Sequence, residues 1–375
     1  MTESKGFMRL NTDELRWLEG RIGTIEVQKG CPHQCIICAV DAPKYTGSMP
    51  WKDFMTVSDS VVEAKIKKRV DLWRFGRKYE SEATIDAFWS SDPINYRAMD
   101  GDKERTIYDV LMNFHRNHSK KSTLTTAGWR PSNNYMQRAA NNIVDAHMID
   151  DKFGVYITYS IKTCMPKVMK EYDSYAKYSR NKDSQASEFF KNSKYVKNIC
   201  DNLKTLLPID SMRDRRHVFP SFQYIENNHM TDALFEKSYG QYNSLFSFGF
   251  MQSLADILVF QGLVALEPDG VDKNSFRSFG GVGRALNLGL PKDINLNNYE
   301  RRVSQNSSSE TMKNQYSAIV NGHGQLQICY GEPQDVAQIL VPKEHFQILA
   351  DKAFWPWQKK EYKMLAVLQG KRLLD

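Results

Sequence analysis

Three cysteines lie within eight consecutive residues near the start of the chain. Cys31, Cys35 and Cys38 form a Cys-x3-Cys-x2-Cys pattern, which follows an apolar stretch at 22–27 that is typical of a β-strand. Thiolates are the ligands that iron–sulfur clusters prefer, normally four for each cluster. Three neighbouring thiolates without a fourth nearby therefore predict a cluster in which one iron is open to an exogenous ligand.

A structural zinc ion is the main alternative for these thiols. Such an ion usually takes four ligands, often from two Cys-x2-Cys pairs. The other cysteines, Cys164, Cys200 and Cys329, stand singly and far apart, and each is expected to be a small buried hydrophobic residue. His33 lies inside the loop, where it would be a cramped fourth ligand. A cluster is therefore favoured over zinc or unligated thiols, and six cysteines in 375 residues do not predict a disulfide framework.

The cysteine pattern resembles the motif of the radical S-adenosylmethionine superfamily. The resemblance implies that Cys31, Cys35 and Cys38 hold a 4Fe–4S cluster and that S-adenosylmethionine occupies the fourth iron. It implies reductive cleavage of that cofactor to a 5′-deoxyadenosyl radical, which abstracts hydrogen from a substrate. Ile37 replaces the family's usual aromatic residue and is expected to cover the adenine. An electron donor such as flavodoxin or ferredoxin is also implied.

The resemblance places further cofactor contacts after the second predicted strand. The family usually carries Gly-Gly-Glu there, and this chain has Ser90, Ser91 and Asp92 followed by a proline. Serine hydroxyls, backbone carbonyls and a carboxylate can all accept hydrogen bonds from the methionine ammonium group. A plain turn is the alternative interpretation of the same residues.

Contacts to ribose and methionine are expected at the fourth predicted strand. Thr158 and Ser160 alternate onto one face of this strand, and Tyr159 lies on the other. Lys162 or Arg180 could pair with the methionine carboxylate, and a guanidinium suits a carboxylate well. Both cations are also common surface residues.

Strand and helix patterns alternate between residues 20 and 265, which predicts a parallel sheet with helical crossovers. Strands are predicted at 22–29, 84–89, 122–126, 154–160, 217–225 and near 258–263. Helices are predicted at 57–70, with Ser58 or Asp59 as cap, and at 107–118, 134–148 and 165–207. The family resemblance implies that this α/β region is a partial (βα)6 TIM-like barrel, with the cysteine loop at its open end.

Three regions are predicted along the chain. Residues 1–21 form an N-terminal lead-in, 22–265 the barrel, and 266–375 a C-terminal extension that caps the substrate cavity. The extension contains a hairpin around Asn321-Gly322 and a terminal helix at 343–371. Its glycine-rich segment at 280–285 lacks the lysine of a phosphate-binding loop, so no nucleotide-phosphate site is predicted.

Composition bounds the function only loosely. The chain is 41% hydrophobic and 25% charged, with a formal net charge of +7. No apolar run of about 18 residues and no signal-peptide pattern is found, so a cytoplasmic protein without a membrane span is expected. A small molecule or natural-product intermediate is the favoured substrate. A peptide or a nucleic-acid base is an alternative, and a non-catalytic, zinc-stabilised nucleic-acid-binding protein is another.

Overall fold

The computed structural model describes residues 22–36, 38, 44–59, 87, 91–117, 122–211, 216–225, 230, 233–265 and 275–279, and the strand backbones at 318–320, 325–328 and 334–335. The predicted strand at 84–89 is described only at Ala87. The glycine-rich segment at 280–285, the hairpin turn, Cys329 and the predicted terminal helix all lie outside the described residues.

Short antiparallel ladders and a first strand precede the main sheet. Strand β1 covers Ile22–Ile25, and β2 (Gln28–Lys29) pairs with β3 (Gly47–Ser48). Further along the chain, β4 (Arg97–Asp100) and β5 (Lys103–Thr106) form a hairpin.

A four-stranded parallel sheet forms the centre of the described chain. Its strands are hydrogen-bonded in chain order: β6 (Ser122–Thr126), β7 (Val155–Lys162), β8 (Val218–Ile225) and β9 (Phe276–Phe279). The predictions for β6, β7 and β8 are confirmed to within two residues at each end. Because all four strands run in one direction, their carboxyl ends lie at one edge of the sheet.

Helices precede and connect these strands. They are α1 (residues 51–59), α2 (Ile107–Asn117), α3 (Asn134–Ile149), α4 (Pro166–Ala176), α5 (Lys182–Asn192), α6 (Lys194–Ser211), α7 (Ala233–Tyr239), α8 (Asn243–Phe246) and α9 (Phe248–Phe260). The single helical stretch predicted at 165–207 is three helices. The helical conformation ends after α4, and Asn181 then caps α5 by accepting a hydrogen bond from the Ser184 N–H.

One face of strand β7 is apolar and packs against the helices. Val155, Ile157, Tyr159 and Ile161 are each 1% exposed. The Tyr159 hydroxyl donates to Asn202 Oδ1 of α6 at 3.1 Å, so this face points toward that helix. The alternate residues of the same strand therefore point to the opposite face of the sheet.

The predicted start of the first helix, at residue 57, is wrong. Helix α1 already includes residues 51–59, so Ser58 and Asp59 lie inside it and are not caps. Ser58 is fully buried, and its hydroxyl donates to Asn113 Oδ1 at 2.5 Å. A serine in the sequence is compatible both with a helix cap and with a buried hydroxyl that has a distant partner. The sequence does not separate these two roles, which explains why Ser58 was predicted as a cap.

The sixth strand predicted near 258–263 is also wrong, because helix α9 runs to Phe260. Its buried residues Met251, Leu254 and Leu258 recur at helical spacing. Gly262, with φ +68°, ends the helix by donating to the Val259 carbonyl at 2.8 Å. Short apolar runs do not separate a buried strand from a core helix.

Strand β1 lies in a second four-stranded sheet with three strands from the region after residue 317. It pairs in parallel with β10 (Ala318–Val320), which pairs antiparallel with β11 (Gln325–Ile328), and β11 then pairs with β12 (Gln334–Asp335). The predicted hairpin strands are thus confirmed. The fold is mixed α/β with a parallel sheet, and the described strands do not show a closed barrel.

Among the described residues, the stretch Phe235–Phe260 is long and apolar enough to cross a membrane by length and composition, with mean hydropathy 1.2. It is divided into α7, a 3-10 turn at Gly240–Tyr242, α8 and α9. Core helices of water-soluble proteins share these properties, so the stretch is weak evidence for a membrane span.

Candidate functional site

The cysteine loop begins and ends in one short ladder. Strand β2 precedes the loop and β3 follows it, and Lys29 pairs with Gly47 in the antiparallel ladder. Gly30 adopts φ +74°, and Gln34 adopts φ +51°, a left-handed conformation that is uncommon for a residue with a side chain. The Gln34 side chain donates to the Cys31 carbonyl at 2.7 Å, which fixes the turn between the first two cysteines.

The thiols of the loop are largely withdrawn from water. Cys35 is 7% exposed, and Cys31 and Cys38 are partly buried. Burial, followed by the charge of Asp92, raises the pKa of Cys31 to about 12. The pKa of Cys35 is also raised, first by a hydrogen bond with the Cys164 side chain and then by burial. Without a cation to bind them, both groups are therefore protonated thiols at neutral pH.

A histidine joins the loop to the region after the second predicted strand. His33 Nε2 donates to Asp92 Oδ2 at 2.8 Å, and both side chains are buried. Lys167 Nζ lies 3.5 Å from His33 Nδ1. The contact with the carboxylate fits an imidazole that carries a proton on Nε2.

Asp92 is a junction between several segments. Besides His33, its carboxylate accepts from the Ala127 N–H after β6 at 2.7 Å and from the Ile94 N–H at 3.3 Å. The Asp92 carbonyl accepts from Gln28 Nε2 at 2.6 Å. Burial raises the pKa of Asp92, but the bonds from His33 and Ala127 outweigh it and hold that pKa below its usual range. The carboxylate predicted to meet an ammonium group is thus already engaged within the protein, and that contact stays a prediction.

The end of strand β7 meets the cysteine loop directly. The Ile36 N–H donates to the Cys164 carbonyl at 2.9 Å, and the Cys35 and Cys164 side chains hydrogen-bond. Cys164 is 6% exposed, so the prediction that it is buried is confirmed. Its position beside Cys35 was not predicted. Cys200, on α6, is also buried, as expected.

Lys162 places a positive charge among the cysteines. Burial lowers its pKa, but the thiolate forms of Cys35, Cys164 and Cys38, and then Cys31, raise it to a net value above the ordinary one. The same attraction opposes the burial and neighbouring groups that raise the pKa of Cys31 and Cys35, although the pKa of both thiols stays raised. This arrangement is suited to a centre that gathers negative sulfur ligands.

Thr158 and Ser160 lie on the face of β7 opposite Tyr159, as predicted. Ser160 is buried and aligns with Ser221 on β8. Its Oγ accepts from Gln223 Nε2 at 3.4 Å. The two strands therefore contribute hydroxyl and amide groups to one polar face.

Several buried polar atoms in this region have no hydrogen-bond partner among the described residues. They are Gln28 Oε1, Ser91 Oγ, Ser221 Oγ and Gln223 Oε1. Buried polar atoms are normally satisfied, and each unsatisfied one costs about 1–3 kcal/mol. Their presence beside the cysteine loop and on the polar face fits a polar ligand that supplies the missing partners.

For the remaining predicted site residues, the described part of the structure shows no contact with the cysteine loop. Arg180 is exposed in the turn between α4 and α5. Ile37 and Ser90 lie outside the described residues. Their roles stay predictions.

No group of three or more His, Cys, Asp or Glu side chains in the described part of the chain is close enough to hold one metal ion. A 4Fe–4S cluster takes its thiolates on separate irons, so its ligands need not crowd around one ion. Three thiols on one loop with an ammonium group in electrostatic reach fit such a cluster in the chemistry of their donor atoms.

Comparison with protein-family models, curated proteins and solved structures found no match. The assignment of function therefore depends on the residues themselves. Sequence reasoning missed Cys164 and the junction at Asp92. The available signal was positional, since Cys164 comes two residues after β7 and the loop follows β1, and such strand ends can meet at one edge.

Proposed function

We propose that the chain is a radical S-adenosylmethionine enzyme with a single 4Fe–4S cluster on Cys31, Cys35 and Cys38. The observation that carries the proposal is the position of this three-cysteine loop. His33 of this loop hydrogen-bonds to Asp92, which follows the second predicted strand, and the Ile36 N–H donates to the carbonyl of Cys164, which follows β7. Asp92 in turn bonds to Ala127 after β6, so the loop lies where several strand ends meet.

The proposal assigns distinct tasks to the chain's own residues. The three loop cysteines would hold the cluster, and when bound it supplies the electron that cleaves S-adenosylmethionine to methionine and a 5′-deoxyadenosyl radical. Lys162 offsets the negative charge of the thiolates. The buried Ser91 Oγ and Gln28 Oε1, which lack partners in the described structure, can accept from a cofactor ammonium group.

The proposed architecture is a partial (βα)6 barrel. Strands β6 to β9 are parallel and neighbour one another in chain order, which is the order in a barrel wall. The Val27 N–H donates to the Ala87 carbonyl at 3.4 Å, which supports contact between the first two barrel strands.

A small molecule is the proposed substrate, because the polar face of β7 and β8 offers hydroxyl and amide groups in a buried setting. A peptide or a nucleic-acid base is the alternative. A cytoplasmic location and an electron donor of the flavodoxin or ferredoxin kind complete the proposal.

A zinc-stabilised nucleic-acid-binding protein is the second candidate, and one observation favours it. Cys164 lies beside Cys35, so a fourth thiol is present next to the loop, although in the described structure these thiols would have to move closer together to bind one zinc ion. Metal identity separates the two candidates.

The test is anaerobic purification and reconstitution with iron and sulfide. We expect a brown protein with a broad absorption band at about 400 nm and about four irons per chain. Cys31→Ala, Cys35→Ala and Cys38→Ala should each lose this iron, whereas Cys200→Ala, which changes a buried cysteine on α6, should keep it. With dithionite and S-adenosylmethionine, the loaded protein should form 5′-deoxyadenosine. A colourless protein with one zinc ion, or an intact cluster that yields no 5′-deoxyadenosine, would contradict the proposal.

A further inference from the structure

The Cys35 and Cys164 thiols contact each other although 128 residues separate them in the chain. The contact is braced by the backbone, since the Ile36 N–H donates to the Cys164 carbonyl at 2.9 Å. Both side chains are buried, at 7% and 6% exposure. The described cysteines form no disulfide in the structure, so this pair is present as two thiols.

The segment that carries Cys164 is itself held firmly. The hydroxyl of Thr163 donates to the Leu245 carbonyl at 2.8 Å, and Met165 is fully buried. Two thiols in contact on braced backbones need only a small movement to reach bonding distance.

We propose that Cys35 and Cys164 form a disulfide bond when the loop holds no metal. The reaction joins the two sulfur atoms, and the thiols give up two electrons and two protons. Molecular oxygen accepts them and becomes hydrogen peroxide. A dithiol reverses the reaction by thiol–disulfide exchange.

The consequence of this bond rests on the proposed function. If Cys35 is a cluster ligand, the disulfide and the cluster exclude each other. The bond would also keep the Cys35 sulfur from irreversible oxidation to the sulfinic or sulfonic acid. A chain that has lost its cluster in air could then be reduced and loaded again.

Peptide mapping tests the bond itself. Metal-free full-length protein is exposed to air, alkylated with iodoacetamide under denaturing conditions and digested with trypsin without reduction. We expect residues 30–44 to be linked to residues 163–167, with fragmentation assigning the bond to Cys35. The link should vanish with dithiothreitol, in Cys164→Ser and in Cys35→Ser, and should persist in Cys31→Ser. Cys200, in peptide 198–204, should be alkylated throughout. Alkylation of both partners in the wild type, or a bond confined to residues 30–44, would overturn the proposal.

Iron uptake separates this proposal from the proposed function. Oxidised wild type should take up iron only after reduction, whereas oxidised Cys164→Ser should take it up without reduction. If the link is mapped but reduced protein never binds iron, the disulfide stands and the cluster assignment is wrong. If reduced protein binds about four irons and no link is found, the cluster assignment stands and the disulfide is wrong.

Discussion

His33 Nε2 lies 2.8 Å from Asp92 Oδ2, and this contact joins the cysteine loop to the segment after the second predicted strand. The same carboxylate accepts from the Ala127 N–H after β6. One buried side chain thus orients three segments around the candidate site.

Asp92→Asn should destabilise the protein by about 2 kcal/mol, because the amide cannot accept all the hydrogen bonds that the carboxylate accepts. Urea unfolding of metal-free protein measures the loss. Asp145→Asn is the matched control, since Asp145 is exposed on α3, and its effect should stay within about 0.5 kcal/mol.

The same variant should change the dependence of stability on acid. The pKa of Asp92 is held below its usual range despite burial, chiefly by His33, whereas an unfolded aspartate titrates at about 3.9. Its contribution is therefore complete above about pH 4 and is lost as the pH falls through the folded pKa. Wild type should lose stability more steeply than Asp92→Asn below about pH 4. Parallel curves would show that Asp92 has no such role.

Gly128→Ala should be strongly destabilising. Gly128 has φ +89°, and an added Cβ would overlap Tyr159 Oη and lie 2.9 Å from Asn202 Oδ1. The left-handed backbone costs about 1–2 kcal/mol and the overpacking about 1–3 kcal/mol more. Gly101→Ala is the control, because Gly101 has φ +60° with open space around it and isolates the backbone cost. Equal losses in urea unfolding would contradict the packing argument.

The metal-free protein should lose stability in alkali. Burial, with Asp92, raises the pKa of Cys31 to about 12, whereas an unfolded thiol titrates at about 8.5. The stabilisation is therefore complete below the unfolded pKa and is lost as the pH rises toward the folded one, by up to about 1.4 kcal/mol per pH unit. Cys31→Ser should show a shallower decline of the unfolding free energy. An unchanged slope would contradict the raised pKa.

Lys162→Met should weaken retention of the proposed cluster. Burial and neighbouring groups raise the pKa of Cys31 and Cys35, the ammonium group partly offsets this, and metal binding requires the thiolate forms. We expect iron release to a chelator to be on the order of tenfold faster, which corresponds to about 1.4 kcal/mol. Lys162→Arg should retain most of the iron, and Lys170→Met, which removes an exposed charge on α4, should behave as wild type. Equal release from Lys162→Met and wild type would remove Lys162 from the site.

Short stretches of sequence were enough to predict those strands and helices whose residue types are typical of one secondary structure. The β-branched and aromatic content of residues 154–160 predicted β7, and the helices predicted at 107–118 and 134–148 are present as α2 and α3. The apolar run near Leu258 was predicted as a strand and is helical, because its exposed face also carries apolar side chains such as Phe248 and Phe260, so the sequence shows no clear period. The face shared by Thr158 and Ser160 followed from alternation alone.

By itself, the sequence determined the spacing of Cys31, Cys35 and Cys38, because cysteines on one short loop are neighbours whatever the fold. Only the tertiary structure decided that Cys164, Asp92 and Lys162 surround this loop. Those residues are distant along the chain, and no local pattern records which strand ends meet. Parallel strands bring their carboxyl ends to one edge, and packing at that edge then places a fourth thiol against Cys35.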